Sequence, residues 1–106
     1  MEVHDITEID RSRRAAGDLY REFLRVPSMS VGLYVLEAGA EDRQTPHAED
    51  EAYYVISGRA SVRVGERERA VGPGSVVFLG KRIEHRFHSI SERLQLLVVF
   101  APAETG

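Results

Sequence analysis

The chain has 106 residues, with 14 Lys and Arg against 17 Asp and Glu, a formal net charge of −3 and no cysteine. This length suits a single domain, and the interleaved charges form no basic stripe for nucleic acid or an anionic membrane. Without cysteine the chain has neither disulfides nor thiolate ligands, so any bound metal must be held by nitrogen and oxygen.

The start of the chain, MEVHDITEIDRSRR, carries acidic residues where a secretory signal needs a basic start followed by an apolar run. No later segment stays apolar over the length that a membrane-spanning helix requires. These observations predict a soluble, cytoplasmic protein.

Two patterns compete over residues 10–26. Four residues follow helical spacing, and Asp10 or Ser12 could cap a helix that contains them. The four are Ala16, Leu19, Tyr20 and Phe23. Gly17 weakens such a helix, and YREFLRV at 20–26 could equally be a strand that turns at Pro27 and Ser28. We favour the hairpin, preceded by at most a short helix.

From residue 30 onward, short runs rich in Val, Ile, Leu, Tyr and Phe alternate with turn residues. The runs are SVGLYVL (30–36), AYYVIS (52–57), ASVRVG (60–65), SVVFLG (75–80), HRFHSI (85–90) and LQLLVVFA (94–101). Regularly spaced short strands predict an all-β sandwich or barrel, with a hairpin around Gly65 and Glu66. The final residues, APAETG, have the composition of a loose end.

The segment from Gly39 to Gly58 places His47 and Glu51 just ahead of an apolar strand. Its spacing resembles the first conserved motif of the cupin superfamily, which carries two histidines and a glutamate. Thr45 stands where that family usually has the first of the two histidines. His47 therefore corresponds to the second histidine.

The segment at 74–89 resembles the second cupin motif, and His85 stands where the family has its histidine in that motif. Gly80, Arg82 and Ser89 replace the Pro, Gly and Asn that are usual there. The turn before His85 is therefore expected to differ in shape from that of the family.

The resemblance implies an all-β fold, the double-stranded β-helix also called a jelly roll or cupin barrel, over residues 29–103. Residues 1–28 would then be an N-terminal extension that packs on the barrel. Carried over position by position, the resemblance implies that His47, Glu51 and His85 hold a metal ion.

Imidazole and carboxylate ligands suit divalent ions such as Fe, Mn, Zn, Ni, Co or Cu. Three such ligands on one side of the ion leave positions open for water or substrate. Because Thr45 leaves the set one ligand short, the alternative is a barrel in which the same side chains form only a hydrogen-bonded polar network.

Three further residues are candidate ligands. Thr45 lies two residues from His47 and would share its face in a strand, so its oxygen, or that of the neighbouring Gln44, could reach the same ion or hold a metal-bound water. Glu49 could also replace the missing ligand, although an acid in the run AEDE is more commonly solvated. His4 and His88 are expected at the surface.

Strand parity extends the candidate site to its walls. Tyr53 has the parity of Glu51, and Phe87 has that of His85, which predicts both aromatic rings as pocket walls. Arg82 lies in the turn before His85 and could meet an anionic substrate at the mouth, although a solvated turn is the stronger interpretation.

Two functional hypotheses follow. The first is a metal-dependent enzyme acting on a small oxygenated substrate, of the dioxygenase, isomerase or lyase type. The second is a non-catalytic module that binds or senses a small molecule, with or without a metal. Open sheet edges and apolar strands such as LLVVFA also predict a homodimer.

Overall fold

The structure, a computed structural model, describes residues 1–105 of the chain. Within this range lie helix α1 (Ile6–Ala16) and strands β1 (Tyr20–Val26), β2 (Met29–Leu36), β3 (Asp50–Val64), β4 (Arg67–Val71), β5 (Val76–Leu79) and β6 (Arg86–Ala101). No helix among the described residues is long and apolar enough to span a membrane.

Helix α1 begins earlier than the sequence pattern predicted. Asp5 is its N-cap, and the Asp5 carboxylate accepts hydrogen bonds from two backbone amides of the first turn, at 2.8 and 3.3 Å. The predicted caps, Asp10 and Ser12, are wrong, because both residues lie inside the helix. Gly17 ends the helix with a φ of 75°, a left-handed conformation that suits glycine.

The predicted hairpin after the helix is confirmed. β1 and β2 pair antiparallel, from Tyr20 opposite Tyr34 to Val26 opposite Met29. β2 is buried from residue 30 to residue 36, and its pairing with β1 on one side and β6 on the other protects both its edges from water. Because Gly17 stops the helix, residues 20–26 are free to join this sheet.

Strands β3 and β6 are each longer than predicted. The sequence predicted a break at Ser57 and Gly58 and another between residues 90 and 94, but β3 runs through the first and β6 through the second. The pairing of the two strands is irregular between Val55 and Ser61, and Gly58 there has a φ of 94°. A side chain on Gly58 would meet the backbone of Arg93, so this glycine allows two strands to approach closely and does not form a turn.

The strands form an antiparallel sheet in the order β1-β2-β6-β3-β4, and β5 pairs with β3. Val64 lies opposite Arg67, which confirms the hairpin around Gly65 and Glu66. Alternate residues of β2, β3 and β6 point inward and fill the core. Its fully buried side chains include Leu36, Tyr53, Val55, Phe87, Leu94 and Leu96. This arrangement confirms the predicted all-β fold.

A cluster of charged residues attaches α1 to the sheet. The buried Asp10 lies 2.9 Å from Nη2 of Arg13 and 3.4 Å from Nη2 of Arg93 in β6. Burial by itself would raise the pKa of Asp10, but the hydrogen bond from Arg13 and the nearby arginine charges lower it below its usual value. Asp10 is therefore ionised at neutral pH, and charge as well as packing holds the helix in place.

The C-terminal segment is fixed in place, so the prediction of a loose end for APAETG is wrong over residues 101–105. Ala103 is buried, and the backbone N–H of Glu104 donates to Oγ of Ser30 at 3.0 Å. The Thr105 hydroxyl donates to Oε2 of Glu49 at 2.7 Å. These contacts hold Glu104 at the wall of an internal cavity.

An exposed apolar surface lies on the outside of β3 and β5. Tyr54, Val76 and Phe78 form it, and Tyr54 lies directly opposite Val76 across the two strands. Exposed apolar surface of this kind is common where proteins associate. The homodimer stays a prediction.

Candidate functional site

A cavity of about 150 Å³ lies between the sheet, the loop at residues 37–49 and the C-terminal segment. Its lining residues are Tyr20, Tyr34, Gln44, His47, Glu51, Tyr53, Val98, Phe100 and Glu104. Four of them carry a phenyl or phenol ring and two carry a carboxylate, so apolar walls surround a few polar groups. Sites that bind small molecules usually combine these features.

Glu51 and His85 meet in the buried interior. Oε1 of Glu51 lies 3.2 Å from Nε2 of His85, and both side chains are almost completely buried. Nδ1 of His85 lies 2.9 Å from the backbone oxygen of Ile83, which fixes the ring with Nε2 towards Glu51. Burial by itself would lower the pKa of His85, but its hydrogen bonds with Glu51 and Ile83 raise it.

The Tyr53 hydroxyl extends this polar network towards the cavity. It lies 2.8 Å from Nε2 of His85 and also 2.8 Å from Oε1 of Gln44. Burial, and then the nearby Glu51 carboxylate, raise the pKa of Tyr53, so the phenol stays protonated. Tyr53 is part of the cavity wall, whereas Phe87 packs against the Tyr53 ring and is not among the lining residues.

His47 enters the cavity from the loop after β2. Its Nδ1 lies 2.9 Å from Oε2 of Glu104, but the two groups are not aligned for a hydrogen bond, and its ring contacts Phe100 at a centroid distance of 4.7 Å. Its backbone oxygen accepts a hydrogen bond from the backbone N–H of Arg82. Burial raises the pKa of Glu104 above its usual value. The nearby His47 acts to lower this pKa, whereas the nearby Glu49 acts to raise it.

Two buried polar atoms at the cavity have no hydrogen-bond partner among residues 1–105. They are the Tyr20 hydroxyl oxygen and Oε2 of Glu51. Leaving a buried polar group unpaired costs about 1–3 kcal/mol. Two such atoms at one cavity, with the ion pair of His47 and Glu104 beside them, favour a polar guest.

Gln44 and Asp42 are both part of the site, although the sequence suggested only Gln44, as a further candidate metal ligand, and not Asp42. Asp42 is buried, and its carboxylate accepts hydrogen bonds from Nε2 of Gln44 at 2.8 Å and from the backbone N–H of Phe87 at 3.0 Å. It also accepts one from the Tyr34 hydroxyl at 2.8 Å. Both residues lie in an irregular loop, where strand parity gives no direction, so the sequence offered only the polar run EDRQ as a signal.

The other candidate residues lie outside the cavity. Thr45 is exposed in a loop, not in a strand, and the expectation that it shares a face with His47 is therefore wrong. Glu49 is buried but accepts a hydrogen bond from Thr105, and Arg82 is exposed in its turn. His88 pairs with Glu68 near the surface.

The predicted metal ligands are only partly brought together. Glu51 and His85 are in contact, whereas His47 lies beside Glu104. Residues 1–105 contain no group of three His, Cys, Asp or Glu side chains arranged to hold a metal ion. The three-ligand centre at His47, Glu51 and His85 stays a prediction.

The antiparallel sheet and the cavity inside it define a small all-β barrel with an internal polar site. The family described as "Cupin domain" matches residues 32–100, which is more than half of the chain. The chain therefore belongs to the cupin family, as the spacing of its two motifs implied.

Comparisons with individual proteins agree with this assignment. The chain is 48% identical over 105 residues to the uncharacterized protein SCO3923 of Streptomyces coelicolor, covering 99% of this chain and 100% of that one. The crystal structure of TT1209 from Thermus thermophilus has a TM-score of 0.76 at 27% identity, over 97% of this chain and 99% of that one. Ectoine synthase from P. lautus has a TM-score of 0.79 at 22% identity, over 97% and 79% of the two chains, which is a likeness of fold alone.

Proposed function

We propose that this cupin binds a small polar molecule in its internal cavity. The observation that carries the proposal is the pair of buried polar atoms without protein partners, on Tyr20 and Glu51. Both residues line the same cavity, so one guest could pair with both of them. Binding would then give each of these two atoms a hydrogen-bond partner.

The cavity limits the size and chemistry of the guest. A volume of about 150 Å³ accommodates a molecule near the size of benzene, roughly six to eight non-hydrogen atoms. Oε2 of Glu51 can only accept a hydrogen bond while ionised, whereas the Tyr20 hydroxyl can donate or accept. A guest with at least one hydrogen-bond donor and a compact apolar part meets both demands.

Tyr20→Phe tests this proposal, because it removes a hydroxyl that has no partner in the free protein. We expect the free energy of unfolding of the unliganded variant to be unchanged or slightly higher, since an unpaired buried group is lost. Calorimetry with glycerol, glycolate, lactamide and ethanolamine should find at least one that binds the wild type, and about tenfold weaker binding of that compound to Tyr20→Phe.

The control is Tyr54→Phe, the same change at an exposed position on β3. It should leave both stability and binding at the level of the wild type. If none of the four compounds bound, and Tyr20→Phe lowered the stability of the free protein, the cavity would be a filled part of the core and the proposal would fail.

A second candidate function is metal-dependent catalysis at the inner edge of this cavity, where Glu51 lines it and His85 lies behind Glu51. The contact of 3.2 Å between Glu51 and His85 favours it, because two ligands about 2.1 Å from one ion lie roughly 3.0–3.4 Å apart. The bond between His85 and the Ile83 carbonyl has the form of the outer contact that usually orients a metal-bound imidazole. The donor chemistry therefore fits a divalent ion at these two residues, with His47 as the proposed third ligand.

Such an ion would supply Lewis-acid or redox chemistry to a small oxygenated guest, as in isomerases, lyases or dioxygenases. The residues of this chain would orient the guest: Glu51 and Tyr53 would face it from β3, and the Phe100 ring would exclude water from that side.

Elemental analysis of the purified protein, before and after soaking with Fe(II), Mn(II) or Zn(II), tests the metal. We expect close to one ion per chain in the wild type, and loss of that ion in His85→Ala and in Glu51→Gln. His88→Ala is the matched control, because His88 lies near the surface on β6 and contacts Glu68. A wild-type protein that stays free of metal after soaking would refute the metal-dependent function and leave small-molecule binding untouched.

A further inference from the structure

The fixed charges that line the cavity are carboxylates, and one of them, Glu104, lies 2.9 Å from Nδ1 of His47. Glu51 and Glu104 line it, and none of its lining residues within the described chain is a lysine or arginine. His47 is the one lining side chain that can become positive. Glu22 and Glu49 lie close enough to affect the ionisation of Glu104, so they add to the negative potential.

The aromatic walls of the cavity also favour a positively charged guest. The Tyr20 ring lies 6.3 Å from that of Tyr34 and 6.4 Å from that of Phe100, at interplanar angles of 70° and 80°. These angles show that the rings pack edge to face, and all three rings also line the cavity. The Tyr53 ring is a further wall. Aromatic faces attract ammonium groups, and sets of them are a common way of binding alkylated amines.

We propose that the guest is a small organic cation, a primary or methylated amine whose ammonium group lies among these rings with Glu104 as its counter-ion. This proposal rests on the proposed binding function and names the class of its ligand. Glu51 then accepts a hydrogen bond from a donor elsewhere on the same molecule, through the oxygen that has no partner among residues 1–105.

Glu104 is held in position before any guest arrives. Its backbone N–H donates to Oγ of the buried Ser30 at 3.0 Å, and its backbone oxygen accepts a hydrogen bond from Arg25 at 2.6 Å. Ala103 before it is buried, and Thr105 after it is bonded to Glu49. These contacts fix the backbone of Glu104, and its carboxylate lies 2.9 Å from Nδ1 of His47, so binding needs little reordering of this residue, which favours affinity.

Three molecules of nearly equal shape and different charge test the proposal. They are choline, the neutral alcohol tert-butylethanol, in which carbon replaces the nitrogen, and the anion of tert-butylacetic acid. We expect calorimetry to give a dissociation constant for choline at least about tenfold lower than for the alcohol, because only choline gains cation–π and ionic contacts. The anion should not bind measurably.

The substitution Glu104→Gln removes the negative charge at this position and keeps the shape of the side chain. It should weaken choline binding about tenfold while leaving the binding of tert-butylethanol unchanged, because only the counter-ion is lost. Glu92→Gln is the matched control, since Glu92 is exposed and pairs with Arg59, and it should bind all three molecules as the wild type does.

The outcomes distinguish this inference from the function on which it rests. If the alcohol or the anion bound as tightly as choline, the cation class would be wrong and the binding function would stand. If none of the three bound but glycerol, glycolate or lactamide did, the cation class alone would fail. If no compound of either series bound, both proposals would fail.

Discussion

We expect the substitution Gly58→Ala to destabilise the protein by about 4 kcal/mol, one of the largest effects for a single methyl group in this chain. An added Cβ would lie 2.1 Å from the backbone oxygen of Arg93 and 2.7 Å from Cα of Leu94. Both atoms belong to β6, so neither can move without displacing a strand of the barrel. The φ of 94° at Gly58 adds backbone strain for any residue with a side chain. Urea denaturation of the two proteins measures the difference.

Gly65→Ala is the control that separates strain from steric overlap. Gly65 also has a positive φ, of 60°, but a Cβ there would have no atom within 4 Å. We expect this variant to lose only about 1 kcal/mol. Equal losses in the two variants would mean that backbone strain alone matters and that β3 and β6 can separate at Gly58 without cost.

The same glycine explains why the strand pattern was only partly correct. The sequence located the strands that are rich in apolar residues, because their pattern is governed by burial. It implied β4 only through the hairpin around Gly65 and Glu66, because RERAV at 67–71 has a single buried residue. It broke β3 at Gly58, because a glycine beside a serine is the common signal of a turn. A glycine required by the close approach of a distant strand looks the same in sequence, and only the position of Arg93 distinguishes the two cases.

The cavity walls could be predicted where they lie in regular strands. Glu51 and Tyr53 are two residues apart in β3 and both line the cavity, as strand parity required. Phe87 also faces inward. Strand parity predicts on which face of the sheet a side chain lies, but not how far it lies from the cavity. The Tyr53 ring packs against Phe87 and lies between it and the cavity.

The rest of the walls come from segments that no local pattern could assign. Glu104 lies in the C-terminal segment, and its place at the cavity depends on backbone bonds to Ser30 and Arg25. Tyr20 could have been found by pairing, since the hairpin places it opposite Tyr34, but its contact with the cavity depends on closure of the whole sheet. His47 was selected from the motif, whereas its neighbour Glu104 was not, because the two are far apart in the chain.

We expect Asp42→Ala to destabilise the protein by about 4 kcal/mol and to weaken ligand binding in the cavity. The buried Asp42 carboxylate accepts four hydrogen bonds from three residues: from the Tyr34 hydroxyl, from the side-chain amide and the backbone N–H of Gln44, and from the backbone N–H of Phe87. Alanine leaves all four donors without this acceptor. Because Gln44 in turn accepts from the Tyr53 hydroxyl, its release would also loosen one wall of the cavity. Thermal unfolding and calorimetry with the ligand found for the wild type measure the two effects.

Two further variants test whether the loss of stability in Asp42→Ala comes from the hydrogen bonds of this carboxylate. Asp50→Ala removes an exposed aspartate with one backbone contact, to Lys81, and should cost at most about 1 kcal/mol. Tyr34→Phe should destabilise the wild type, because it leaves Asp42 one donor short, but should be nearly neutral in the Asp42→Ala background. If the two losses were instead additive, the Tyr34 and Asp42 side chains would act independently. The loop that carries Gln44 and His47 would then be held by its own backbone, and Asp42 would not link the cavity to β6.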